Sequence, residues 1–236
     1  MRVLGIDKAK KGSGRARSGA GWVGVVLDED GFVRSHFSTT VADLAASEPD
    51  AAVVTIDIPI GLATTGRRRA DADARAVLGP GGRSSSVFLT PVRSAVEAGS
   101  REEADRLSRR AGDGGVGSTA FGLATSILEV DSWIGSGAGG GRDVREVHPE
   151  VCFAVMGGRT LAGKSSWNGA AARRTLLVQQ GVALPDDLGA AGLVHGNDVL
   201  DAAAAAWTAR RIALGLAASY PSPPEDLDGW PTAIWA

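Results

Sequence analysis

Two apolar runs in this chain each end on an aspartate: Val3-Leu4-Gly5-Ile6-Asp7 and Val53-Val54-Thr55-Ile56-Asp57. Runs this short and this rich in aliphatic residues read as buried strands. A carboxylate is rarely placed where a strand leaves a core unless something compensates its charge. Other acids extend the pattern. Glu146 lies in Val144-Arg145-Glu146-Val147, and Asp198 and Asp201 stand three apart, so in a helix they share one face. A divalent cation would compensate such a set, and a cation held by oxygens alone is most often Mg²⁺ or Mn²⁺.

The 236 residues fit one domain with insertions, or two small ones. Hydrophobic residues at 44% suffice for a full core, and 22% charged residues exclude a disordered polyelectrolyte. No apolar run approaches the roughly 20 residues that span a bilayer. The longest candidate, 199–218, is interrupted by Asp201, Arg210 and Arg211, so no membrane partner is expected. The N-terminus does not read as a signal peptide, because Asp7 and Lys8 break the apolar run early and basic residues follow it. A cytoplasmic location is therefore the expectation, and a homodimer is allowed. The lone Cys152, between Val151 and Phe153, excludes an internal disulfide and reads as a buried small hydrophobe.

A net charge of −2 gives no global attraction to nucleic acid. The charge is uneven, however. Lys8, Lys10, Lys11, Arg15 and Arg17 form one basic run, and Arg67, Arg68 and Arg69 form another. Either run alone reads equally well as a solvated loop. Both follow an acidic strand end, which favours a rim that faces a polyanion.

Hydrophobic periodicity and turn residues predict strands at 2–7, 21–27, 32–38, 51–57 and 144–147. Asp28-Glu29-Asp30-Gly31 marks a hairpin turn between the second and third. A short helix at 41–47 is capped by Thr39 or Thr40. Helices are expected at 70–78, 100–111, 118–133 and 168–180, and a last alanine-rich helix runs from Asn197 or Asp198 to about Ala218. The order β-β-β-α-β, a helical insertion, then β-α-α predicts an α/β fold: a mixed five-stranded sheet flanked by helices. One domain would cover 1–220, with the insertion at 62–141, and 221–236 would be a Pro- and Trp-containing tail pinned to the body. Strands one and four can then lie side by side and bring Asp7 and Asp57 together. The last helix would offer Asp198 and Asp201 to the same spot.

Phosphodiester hydrolysis needs a nucleophilic water, a stabilised pentacoordinate phosphate and a charged leaving oxygen, and two metal ions about 3.5–4 Å apart supply all three. Asp7, Asp57, Glu146 and Asp201 are the expected ligands, with Asp198 as the alternative to Asp201. Each has a structural reading too: Asp7 as a loop acid, Asp57 as an acceptor of backbone N–H groups, Glu146 as a solvent-facing strand residue, Asp198 as a helix cap. Asp201, one turn into the helix, has the weakest such reading. His148 suits a proton shuttle or phosphate contact, or equally a satisfied core histidine. Glu150, after Pro149, reads as a helix-start acid rather than a further ligand. Arg83, Ser84 and Ser85 follow a glycine turn and could hold phosphate, as could Lys10, Lys11, Arg67 and Arg68. Gly163-Lys164-Ser165 looks like the end of a P-loop, but no strand and no spaced glycines precede it, so a nucleotide P-loop is rejected.

Several ordered motifs resemble one family. They are Gly5-Ile6-Asp7 with Gly21-Trp22, Ile56-Asp57-Ile58-Pro59-Ile60-Gly61, Arg83-Ser84-Ser85-Ser86-Val87-Phe88, Glu146-Val147-His148-Pro149-Glu150-Val151-Cys152-Phe153, and Asp198 to Ala206 with Trp207-Thr208-Ala209-Arg210. The family is a domain of unknown function usually labelled predicted RNase H-like nuclease, and the likeness runs from residue 2 to about 215. It implies an RNase H-like core, a Mg²⁺- or Mn²⁺-dependent nuclease or phosphodiesterase, a nucleic-acid partner, and Asp7, Asp57, Glu146 and Asp198 or Asp201 as metal ligands. The chain departs from the family in a longer, more basic loop after Asp7, and in Asp198 and Asp201 where adjacent aspartates are expected. Two rival functions stay open on the same superfold: an actin-like ATPase or phosphotransferase relative, and a non-catalytic nucleic-acid or protein-binding module.

Overall fold

The computed structural model describes residues 1–9, 20–80, 84–137 and 139–236. Among them, seven strands build one sheet: β1 (Arg2–Ala9), β2 (Gly21–Leu27), β3 (Phe32–Ser38), β4 (Ala51–Ile56), β5 (Asp143–Val147), β6 (Ser219–Leu227) and β7 (Trp230–Trp235). Their order is β3-β2-β1-β4-β5-β7-β6. The β1–β2–β3 meander is antiparallel; β4, β5 and β7 each run parallel to their preceding neighbour; β6 returns antiparallel on β7. The helices are α1 (Val41–Ala46), α2 (Arg69–Leu78), α3 (Arg93–Val96), α4 (Arg101–Arg110), α5 (Ser118–Gly122), α6 (Ala124–Gly135), α7 (Pro149–Gly157), α8 (Trp167–Gln179) and α9 (Gly196–Ala213). Among the described residues, no helix is long and apolar enough to cross a membrane.

Strand alternation explains how the site is aimed. On β1, Leu4 and Ile6 enter the core layer shared with Val41, Leu44, Ile127 and Val130 of α1 and α6. Val3 and Ala9 enter the opposite layer, built with α2, α7 and α9. Gly5 and Asp7 share that second face by the period of two. The same count on β4 puts Ile56 in the first layer and Thr55 in the second, where its Oγ1 donates to Ala205 O of α9 at 2.8 Å. Asp57, two residues on, therefore follows Thr55 toward α9. Central strands covered on both faces read as continuous apolar runs, as β2 does, all seven of its residues being buried.

Alanine lets α9 approach that face closely. Ala202 to Ala206 are all fully buried, and the helix crosses β1 at Gly5. A Cβ on Gly5 would lie 2.0 Å from Ala206 N and 2.4 Å from Ala202 O, so only glycine fits.

Four expectations need correction. The sheet has seven strands rather than five. The segment 221–236 is not a tail: it supplies most of β6 and all of β7, which pair with each other and join β5 through Glu146↔Ile234 and Val147↔Trp235. The prolines of β6 are tolerated because β6 is an edge strand, with a register shift between Tyr220 and Glu225. The helix expected at 118–133 is divided at Leu123 into α5 and α6. The last helix ends at Ala213 rather than Ala218, where Gly215 takes a left-handed φ of 68°.

Candidate functional site

β1 and β4 are parallel neighbours in the register Ile6↔Ile56, and Asp57 N donates to Ile6 O at 3.0 Å. The two aspartates that follow these residues emerge side by side, and their carboxyl groups act on each other. Both are desolvated. Burial first, then the negative charges of Asp57, Asp201 and Asp198, push the Asp7 carboxyl well above the usual aspartate range. Burial also raises Asp57, against the charges of His148 and Lys164.

α9 delivers the other pair. His195 occupies its cap position, with Nδ1 accepting from Asn197 N at 3.3 Å. Asp198 and Asp201, in the first turns, are buried on the face toward the sheet. Burial pushes Asp201 up to about 6. Its Oδ2 accepts from Lys164 Nζ at 2.5 Å, while its Oδ1 is buried without a hydrogen-bond partner. Lys164 sits in the loop between α7 and α8, in a turn closed by Ser166 N and Oγ on Gly163 O at 2.9 and 2.7 Å. Burial alone would lower a lysine, but Asp201, Asp57 and Asp7 together raise Lys164 above its ordinary value. All five residues line one cavity of about 550 Å³.

The model of a family of proteins of unknown function, DUF429, matches residues 5–226. The chain belongs to the DUF429 family. No curated protein and no solved structure matches it. The DUF429 match takes in every one of these cavity residues and runs from β1 into β6.

The remaining acids of this DUF429 cavity are held by buried arginines. Glu146 lines the wall, but its Oε2 accepts from Arg68 Nη2 at 2.5 Å and from Ile60 N at 2.8 Å. Burial still pushes Glu146 up to about 7, against the Arg68 charge. Asp71 faces the same guanidinium at 3.8 Å and accepts from Thr90 N and Oγ1. Glu150, in the first turn of α7, takes both its oxygens to Arg173 Nη2 at 2.7 Å. These pairs fix β5, α2 and α7 around the cavity. His148 precedes α7 and faces Asp57 from the wall. Its Nε2 is 3.2 Å from Ser86 O, and its Nδ1 is buried without a partner.

The expected phosphate contacts fare differently. Arg68 is a correction: its side chain is fully buried behind Glu146 and reaches no surface a phosphate could touch. Arg67 is more than half exposed but outside the cavity wall, its Nε donating to Asp113 O at 2.8 Å. Ser84 and Ser85 lie in a short 3-10 turn, of which Ser86 alone lines the cavity. Lys10, Lys11 and Arg83 lie outside the described residues.

Lys164 is the site residue that sequence reasoning missed, having weighed its tripeptide only as a P-loop ending. A signal was present. The chain uses 21 arginines but only four lysines, and Lys164 is the one beyond residue 11. A lone internal lysine in an arginine-preferring sequence singles that position out.

Proposed function

We propose that this DUF429 protein is a metal-dependent phosphodiesterase acting on nucleic acid, built on an RNase H-like core formed by β3-β2-β1-β4-β5 and α9. One observation carries the reading: Asp7, Asp57, Asp198 and Asp201, brought from two strands and a helix, line one cavity. Like charges crowded in a desolvated space are held apart only by protons or by a cation. Among the described residues, no three acidic, histidine or cysteine side chains form a ready-made ion site; the Lys164 ammonium is the positive charge among them. The donors still suit Mg²⁺ or Mn²⁺: hard carboxylate oxygens, one of them, Asp201 Oδ1, buried and unpartnered.

In this reading Asp7 and Asp57 would hold the ion from the strand ends, and Asp201, with Asp198 as the alternative, would hold it from α9. A divalent cation there would supply an activated water and positive charge for the phosphate. Its charge would also offset the crowding that raises the Asp7 carboxyl. His148, beside Asp57, is placed to pass a proton between solvent and the reacting oxygens. Glu146, paired with Arg68, fixes the wall rather than ligating. Pairing of the acids with arginines would have argued for a binding module; Asp7, Asp57 and Asp201 have no such ion pair among the described residues.

The test is incubation with branched, hybrid, single- and double-stranded nucleic acids in Mg²⁺ or Mn²⁺. The expected result is cleavage that requires the metal and is lost in Asp57→Asn. Cleavage of none of these substrates, or cleavage indifferent to both metal and Asp57, would overturn the proposal.

A further inference from the structure

Two-ion hydrolysis needs a carboxylate that bridges both ions and further ligands for each. The cavity wall is short of such ligands. Glu146, Asp71 and Glu150 line it, yet each is turned to Arg68 or Arg173. Asp201 has one oxygen on Lys164 at 2.5 Å and the other buried without a partner. The carboxylates without an arginine partner that remain are Asp7, Asp57 and a single oxygen of Asp201. The Lys164 ammonium, for its part, also acts on Asp57 and Asp7, so its charge is felt by three of the acids at once.

Resting on the phosphodiesterase reading, we propose that Lys164 stands in for a second ion: the site takes one divalent cation, on Asp7, Asp57 and Asp201 Oδ1, and the Lys164 ammonium supplies the other positive charge. The geometry suits both duties. Asp201 is bidentate in function, Oδ2 fixing the lysine and Oδ1 turned to the cation. The Asp201 side chain is 2% exposed while that of Lys164 is 40% exposed, so the ammonium is reachable by an incoming phosphate as the carboxylate behind it is not. A lysine offers three donors on a flexible stem, enough to keep Asp201 and contact a phosphate oxygen together. The turn on Gly163 O, closed by Ser166, anchors the loop that carries it.

The inference concerns a count, and calorimetric titration of the full chain with MnCl₂ reads that count without reference to activity. The wild-type chain is expected to bind one Mn²⁺. Lys164→Met is expected to bind a second Mn²⁺ in the vacated place, yet to cleave about 10²-fold more slowly or worse, because the positive charge is no longer aimed from a fixed position. Lys164→Arg keeps the charge and is expected to keep the count of one. Two ions per wild-type chain, with metal-dependent cleavage intact, would overturn the lysine inference and leave the phosphodiesterase reading standing. No Mn²⁺ bound by the wild-type chain would overturn both. Should Lys164→Met fail to fold, the wild-type count alone decides.

Discussion

Asp57 N donates to Ile6 O at 3.0 Å, which sets Asp57 beside Asp7 at the seam between two parallel strands. Two carboxyl groups are therefore crowded together, with Asp198 and Asp201 adding their charges close by. This relationship makes the metal-free protein sensitive to pH in a defined direction.

Folding raises Asp7, Asp57, Asp201 (to about 6) and Glu146 (to about 7) above their ordinary values. The folded chain thus keeps protons that the unfolded chain has already released. Stability is fullest at and below the ordinary carboxylate range and falls as pH rises toward neutrality. The melting temperature of metal-free protein should decline between about pH 4 and about pH 7. Calorimetric scans across that range check it, and MnCl₂ added at neutral pH should restore much of the loss.

Asp57→Asn removes a half-buried carboxyl group with little change of shape. In the metal-free protein it should raise stability at neutral pH, on the order of 1 kcal/mol, and flatten the pH slope. The same variant should lose the Mn²⁺-induced thermal shift and lower cleavage by about 10²-fold or more. A gain in stability joined to a loss of function separates a charge-crowded site from a structural aspartate.

Arg68→Met leaves Glu146 in the wall without its partner. Breaking a buried pair from one side costs roughly 3–5 kcal/mol. Because Arg68 is buried and Glu146 is 5% exposed, the loss should appear in urea denaturation and not as a changed salt dependence of nucleic-acid binding. Replacing both partners, as Arg68→Met with Glu146→Leu, should recover part of the stability.

Gly5→Ala pushes a methyl group into the backbone of α9, since the new Cβ would lie 2.0 Å from Ala206 N. Neither backbone has room to give, so a cost of about 3 kcal/mol or more is expected. The helix must also move away from β1, taking Asp201 from Asp7. Thermal melts should show the destabilisation, and Mn²⁺ titration should show weakened binding even where the variant stays folded.

Local signals made much of the frame legible. Asp28-Glu29-Asp30-Gly31 does turn β2 into β3, with Asp28 N donating to Gly31 O at 3.0 Å and Gly31 at a φ of 123°. Thr40 caps α1, its side chain accepting from Asp43 N. The acid-ended strands are adjacent because β1 and β4 pair directly. The C-terminal strands were hidden because Pro221, Pro223, Pro224 and Pro231 argue against strands; the first three are tolerable on the edge strand β6, and Pro231 because β7 pairs with β5 only at Ile234 and Trp235. Pairings set by tertiary structure were out of reach: Arg68 with Glu146 is 78 residues apart and Lys164 with Asp201 is 37 apart. Arg68 stood in a basic run that sequence pattern could read only as surface. The apolar stripe over 118–133 continues through Leu123, and nothing in its period marks the division into two helices.

The most direct measurement is anomalous diffraction from a crystal soaked in MnCl₂. The account expects a Mn²⁺ peak between Asp7 and Asp57, within ligand distance of Asp201 Oδ1, with Lys164 still on the other oxygen of that carboxylate. A map with no ion in this cavity at millimolar Mn²⁺, or with Mn²⁺ bound only away from Asp7 and Asp57, would contradict it.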